Sequence, residues 1–192
     1  MKRFLLTILA FLILAPTAGS YYKHDKLNEV ASWIAMRPVE VFCYLDDEDE
    51  APWTYGAWGY VDKPLGKQSY EALDFRLCEG AQNINDTNIL KWQRALGVLA
   101  LTHESYHLRR WGGAGDEAKV ECKAIRHWRY TAQKFGATNE IIEDLWPLAL
   151  ALHYKLTNYV DYDKNFNQIR PYYDPFCKVP PVFTQTDDPS DT

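Results

Sequence analysis

Two histidines stand four residues apart in the middle of a long segment that has the hydrophobic period of an α-helix. Apolar residues recur at every third or fourth position from Ile89 to Arg110, after good helix-capping residues and before the Gly112-Gly113 pair that should end the helix. Because an α-helix has about 3.6 residues per turn, His103 and His107 project from the same face. The chain is therefore predicted to contain a long helix that presents two imidazole rings side by side.

The segment His103-Glu104-Ser105-Tyr106-His107 is an HExxH motif. Two imidazoles on one helix face can bind a single Zn²⁺, and Glu104, about 100° around the helix, can reach a water molecule at the metal without binding the metal itself. Zinc lowers the pKa of such a water to about 7, and a carboxylate can accept its proton as the water attacks a carbonyl carbon. We therefore expect one zinc ion, with Glu104 as the catalytic general base.

A catalytic zinc ion generally has three protein ligands and one open position, so a third ligand is needed. The loop from Trp111 to Gly115 should reverse the chain, and Asp116 can cap a second helix from Glu117 to Phe135, with Gly136 at the terminating position. Glu117 and Glu121 share one face of that helix. A carboxylate from the returning helix can therefore approach the two histidines.

The segment Asp116-Glu117-Ala118-Lys119-Val120-Glu121 resembles the NExxxD element of thermolysin-like zinc peptidases. Together with the HExxH motif, it makes the stretch from about Leu96 to Ala124 similar to small zinc metallopeptidases of the gluzincin type. The resemblance implies that Glu117 is the third zinc ligand and that Glu121 orients one of the zinc-binding histidines. It also implies a zincin-like fold and the hydrolysis of peptide or other amide bonds.

The segment departs from the family pattern at three points. Asp116 stands for Asn, Glu121 stands for Asp, and Glu117 follows His107 by only ten positions. Because the link is short, Glu121 remains the alternative third ligand. The histidine-ligand pattern HExxHxxGxxH is not met, and His127 should lie away from the metal-binding face of its helix.

Other residues are candidates for contact with a substrate. In gluzincin-like enzymes a downstream Tyr or His assists the oxygen that becomes negatively charged during the reaction. The candidates here lie on the last predicted helix or before Cys177: His153, Tyr154, Tyr159, Tyr172 and Tyr173. Zincins usually bind an extended peptide along a sheet edge, and we expect the strand around Glu71 to Leu77 to be that edge, with a fully paired strand as the alternative.

The remaining pattern predicts an α+β fold, in which a small N-terminal β-sheet precedes a helical half that carries the HExxH helix and the antiparallel ligand-bearing helix. Thr138 opens a further helix, and Pro147 either kinks it or starts another that reaches Tyr159. The predicted elements of the first half are a helix over Lys26 to Met36, a strand over Val39 to Tyr44, a turn or hairpin over Trp53 to Tyr60, and a strand marked by the alternation of Leu73, Phe75 and Leu77.

The amino terminus and the cysteines predict an exported protein. Basic residues, an apolar stretch and small residues follow one another over 1–20, which is typical of a signal peptide, although an uncleaved anchor is an alternative. Four cysteines then favour two disulfides. Of three possible pairings we expect Cys43 with Cys78 and Cys122 with Cys177. A single domain should occupy 21–177, followed by a disordered tail rich in Pro and acidic residues over 178–192, in a secreted or periplasmic protein with no membrane span in the mature chain.

The charge balance excludes one class of partner and leaves another open. The formal net charge is −5 and no basic cluster occurs, so we expect a peptide or protein substrate and no nucleic acid. The acidic run from Asp46 to Glu50 is interpreted as a solvated loop. The alternative function is a noncatalytic secreted zincin-like module with structural or no zinc, which binds glycan or protein through the aromatic cluster Trp53, Tyr55, Trp58 and Tyr60.

Overall fold

The computed structural model describes residues 22–44, 59–62, 69–109, 117–162 and 167–179. These ranges form a mixed α+β fold with more helix than strand. The helices are α1 (Asp25–Ala35), α2 (Phe75–Gln82), α3 (Lys91–Leu108), α4 (Glu117–Lys134) and α5 (Asn139–Thr157). The strands are β1 (Tyr22–Lys23), β2 (Val39–Tyr44), β3 (Gly59–Asp62), β4 (Ser69–Asp74), β5 (Asp161–Tyr162) and β6 (Gln168–Ile169).

Several sequence predictions fall outside the described residues. They are the signal peptide over 1–20, the acidic run from Asp46 to Glu50, the aromatic cluster apart from the backbone of Tyr60, the loop from Trp111 to Gly115 and the tail from 180 onward. No helix in the described ranges has both the length and the apolar character needed to cross a bilayer.

The main sheet has four strands in the order β1-β2-β4-β3. β2 and β4 pair in parallel, with Val41 opposite Glu71, and β3 pairs antiparallel with the other side of β4, with Val61 opposite the same Glu71. The prediction that β4 forms a sheet edge is therefore wrong, because β4 is paired on both sides over the described residues. Among the described strands, β3 is the outer one on that side of the sheet.

β4 also ends earlier than the predicted alternation suggested. The Asp74 carboxylate accepts a hydrogen bond from the backbone N–H of Arg76 at 2.8 Å, and so caps α2. Phe75 and Leu77 therefore belong to a helix, and only Leu73 of the predicted set lies in the strand.

The central helix of the molecule is α3, which packs against the other helices and one face of the main sheet. Apart from the partly exposed Glu104, every residue from Arg94 to Leu108 is buried, so the helix is buried on all its faces. α2 crosses α3 closely at Gly97, where a Cβ would collide with the backbone carbonyl oxygen of Leu77. The HExxH motif thus occupies the last two turns of a helix that is fixed from several sides.

The two following helices agree closely with the pattern in the sequence. α4 ends before Gly136, whose φ of 86° is the left-handed conformation expected after a helix. The Thr138 side chain caps α5, which continues through Pro147 as one helix, so Pro147 does not start a new one. α4 is joined to α3 by a hydrogen bond of 2.8 Å from the Trp128 indole to the carbonyl oxygen of Ala95.

Two disulfides connect elements that are distant in the sequence. Cys43 of β2 is bonded to Cys78 of α2, and Cys122 of α4 is bonded to Cys177 of the carboxy-terminal segment. Both predicted pairings are confirmed. The second bond holds the segment 167–179 close to α4, directly beside the predicted metal-binding residues.

Candidate metal centre

Three predicted ligands converge at the carboxyl end of α3 and the amino end of α4. The Nε2 atoms of His103 and His107 lie 3.1 Å apart, and Oε2 of Glu117 lies 3.1 Å from the first and 3.3 Å from the second. Both histidines are buried, and Glu117 is partly exposed. The helical spacing of the motif and the antiparallel return of α4 therefore bring one oxygen and two nitrogens to a common point.

The size of this triangle fits a zinc ion. Zinc bonds to imidazole nitrogen and carboxylate oxygen are about 2.0–2.1 Å long, so the ligand atoms of a tetrahedral site lie about 3.3 Å from one another. The three separations of 3.1–3.3 Å match that value. Within the described ranges the cluster consists of these three donors, one fewer than a tetrahedral zinc site has.

Glu104 lies beside the cluster, against the outer strand of the sheet. A Cβ built on Gly59 of β3 would lie 2.9 Å from Cγ of Glu104 and 2.6 Å from a methyl group of Leu73, so only glycine leaves room for the Glu104 side chain. Burial raises the pKa of Glu104, whereas the neighbouring His103 and His107 act in the opposite direction. A carboxyl group with a raised pKa is a stronger base than an exposed one.

Glu121 lies behind the cluster and not in it. Its Oε2 is 2.9 Å from Nδ1 of His103, and its Oε1 is 2.8 Å from Nδ1 of His153. Burial alone would raise the pKa of Glu121, but hydrogen bonds from the two imidazoles outweigh burial and lower it. Glu121 is therefore placed as a hydrogen-bond acceptor behind His103, while Glu117 is the carboxylate at the common point.

The electrostatics of the cluster show how strongly it attracts a positive charge. Burial disfavours the charged form of His103, yet hydrogen bonds to Glu117 and Glu121 outweigh burial and raise the pKa of His103 to about 10. Hydrogen bonds from His103 and His107 in turn hold the pKa of Glu117 far below its ordinary range. Two imidazoles packed against two carboxylates are stabilised by a bound cation, which can be a proton or a metal ion.

The residues predicted to contact the substrate carbonyl oxygen differ in their burial and in their distance from the cluster. Tyr172 is half-buried, and its ring centroid lies 6.1 Å from that of His103. Burial, followed by the charges of Glu117 and Glu104, raises the pKa of Tyr172, so its hydroxyl stays protonated and can donate a hydrogen bond. His153 is buried with its Nδ1 on Glu121. The side chains of the other three candidates are exposed: Tyr154, Tyr159 and Tyr173.

His127 lies apart from the cluster, as its position on α4 predicted. Its Nδ1 lies 2.8 Å from the Tyr106 hydroxyl and 2.8 Å from the carbonyl oxygen of Lys123. It therefore supplies no ligand atom to the three-residue group.

The sequence motifs did not point to Glu71, a buried acid next to the cluster. Glu71 of β4 is fully buried, and its Oε2 accepts a hydrogen bond of 3.0 Å from the Ser105 hydroxyl inside the motif. Its Oε1 has no hydrogen-bond partner among the residues that the structure describes. Burial, with the nearby charge of Glu104, raises the pKa of Glu71 well above its ordinary value. The signal in the sequence was an acid two positions before Leu73, which places both side chains on the same face of the strand.

Comparison with known proteins adds no relationship to this geometry: no family model, no curated protein and no solved structure matches the chain.

Proposed function

We propose that this protein is a zinc-dependent hydrolase of peptide or other amide bonds that acts outside the cytoplasm. The observation that carries the proposal is the common point of His103, His107 and Glu117, where three donor atoms lie at separations that suit zinc. The two disulfides support the compartment, because such bonds persist in oxidising surroundings.

Each residue around the cluster has a separate task in this proposal. Zinc, when bound, supplies Lewis acidity that acidifies a water molecule and polarises the substrate carbonyl. Glu104 accepts the proton of the attacking water and then delivers it to the nitrogen of the leaving amine. Tyr172 donates a hydrogen bond to the carbonyl oxygen as it becomes negative. Glu121 keeps the His103 ring oriented toward the cluster.

The outer strand β3 supports a peptide as the substrate. β3 pairs with β4 on one side, and Gly59 brings its backbone directly against Glu104. On its other side β3 has no strand partner within the described ranges, and an extended peptide that added there would form backbone hydrogen bonds and pass close to the general base. The edge is therefore assigned to β3 in place of the predicted strand around Glu71 to Leu77.

The decisive experiment separates metal binding from turnover. Glu104→Gln should retain one zinc per chain, because residue 104 is not a ligand, while hydrolysis of a peptide library falls by at least about 10²-fold, in the range typical of a lost general base. The measurement pairs metal analysis of the purified protein with chelator-sensitive hydrolysis. Unchanged turnover in metal-replete Glu104→Gln would remove the base from the mechanism.

A second comparison tests the ligand assignment. Glu117→Ala removes a proposed ligand and should weaken zinc binding more than Glu121→Ala, which removes a hydrogen bond behind a ligand. The reverse order would transfer the ligand role to Glu121. A zinc-loaded wild-type protein without chelator-sensitive hydrolysis would favour the noncatalytic binding module instead.

A further inference from the structure

A buried chain of three side chains runs from the metal cluster to the last long helix. His103 of α3, Glu121 of α4 and His153 of α5 are joined by contacts of 2.9 Å and 2.8 Å, each between a carboxylate oxygen and an Nδ1 atom. All three residues are buried, and Glu121 has no exposed surface. His153 is thus in contact with the carboxylate that touches a proposed zinc ligand, although it is outside the cluster itself.

The position of Glu121 depends on both imidazoles. A buried carboxylate that loses one of its hydrogen bonds carries a desolvation cost, so it moves toward another donor or toward water when it can. Its Oε2 contacts His103 and its Oε1 contacts His153, with no other hydrogen-bond donor to either oxygen in the described part of the chain. The donor that keeps Glu121 from turning away from His103 is therefore His153.

We propose that His153 is a positioning residue of the metal site, which acts through Glu121 to hold His103 in its ligating orientation. The inference deepens the proposed function, on which it rests only for the binding of zinc, and it does not require hydrolysis. His153 then has a role other than the predicted contact with the substrate carbonyl oxygen, because its Nδ1 is hydrogen-bonded to Glu121. α5 then contributes to the metal site without providing a ligand.

Two polar replacements of similar size test the geometry of the contact. The amide nitrogen of His153→Asn can occupy the place of Nδ1, whereas that of His153→Gln extends toward the place of Nε2, away from Glu121. Loss of a group that supports a ligand typically weakens metal binding about 10–100-fold. We expect that loss in His153→Gln and in His153→Leu, and at most a few-fold loss in His153→Asn.

The measurement is the zinc dissociation constant of the full mature chain, obtained by competition with a chromophoric chelator at fixed pH. His127→Leu is the matched control, because His127 is another buried histidine of the helical half, and its Nδ1 contacts the Tyr106 hydroxyl and the Lys123 carbonyl oxygen and not Glu121. It should leave the zinc affinity unchanged. Thermal unfolding of each variant in chelator measures any effect on the fold separately.

A double substitution decides whether the effect passes through Glu121. In the Glu121→Ala background, His153→Leu should cause no further loss of zinc affinity, since the connecting carboxylate is gone. The inference would be overturned if the double substitution lost zinc affinity by the product of the two single losses. It would also be overturned if the wild type, His153→Gln and His153→Leu bound zinc with equal affinity. Zinc binding without hydrolysis would end the proposed function and leave this inference intact, whereas a wild-type chain that binds no zinc would overturn both.

Discussion

The buried acid Glu71 makes the stability of the metal-free protein depend on pH in a direction that can be worked out. Its side chain has no exposed surface, one oxygen accepts a hydrogen bond from Ser105, and the other has no hydrogen-bond partner in the described part of the chain. Burial, followed by the charge of Glu104, raises the pKa of Glu71 well above its ordinary value. The folded chain therefore holds this proton more tightly than the unfolded chain does.

The sign follows from that difference in proton binding. Below the ordinary pKa of a glutamic acid, Glu71 is neutral in both states and its stabilising contribution is complete. As the pH rises from there toward the raised pKa of the folded state, residue 71 ionises first in the unfolded chain. This ionisation lowers the free energy of the unfolded state relative to the native state. Within this window, each pH unit removes about 1.4 kcal/mol from the free energy of unfolding.

Glu71→Gln should remove this decrease of the free energy of unfolding with rising pH. Glutamine is neutral at every pH, has nearly the same shape, and keeps a carbonyl oxygen for the Ser105 hydroxyl. The free energy of unfolding of the variant, minus that of the wild type, should therefore increase by about 1.4 kcal/mol over a full pH unit inside the window.

Urea unfolding between pH 4 and pH 8 measures this difference, with chelator present and both disulfides intact, so that metal binding does not contribute. Ser105→Ala provides a check on the sign, because loss of a hydrogen bond to the ionised form should extend the window to higher pH. A difference between Glu71→Gln and wild type that stays constant from pH 4 to pH 8 would refute the reasoning.

Three further outcomes test the packing and the groups around the site. Gly97→Ala should lower the free energy of unfolding by at least about 1–3 kcal/mol in urea, because the new methyl group collides with the backbone of α2, while the number of zinc ions bound stays the same. Replacing Cys122 and Cys177 together by Ala should lower the midpoint of thermal unfolding, at a cost of about 2–4 kcal/mol, and a variant of undiminished stability would contradict this role of the bond. Tyr172→Phe should reduce kcat by about 10²-fold with zinc affinity retained, whereas Tyr154→Phe, at an exposed tyrosine, should match the wild type in the same peptide assay.

The parts of the site that could be predicted from the sequence are those set by local rules. His103 and His107 meet because of the helical repeat, and Glu117 reaches them because it is the first residue of α4, which packs against α3. The bounds of α4 and α5 were marked by Gly136 and Thr138, which end and cap helices for reasons internal to a few residues.

The parts that could not be predicted depend on long-range pairing. β4 lies between β2 and β3, although β3 precedes it in the chain, and no hydrophobic period records such an order. The role of Glu71 follows from that placement, because only a central strand buries its side chain beneath the motif. Tyr172 and Tyr173 are equally plausible by sequence, and their surroundings differ because one faces the cluster and the other is exposed.

The three proposed ligands all come from the neighbouring ends of α3 and α4, whereas the groups that surround them come from the outer strand, from α5 and from the disulfide-held carboxy-terminal segment. Under the proposed function, metal binding and substrate contact therefore depend on separate segments of the sequence. A substitution in β3 or in the segment 167–179 can therefore alter the surroundings of the cluster while the two helices that carry its three side chains keep their sequence.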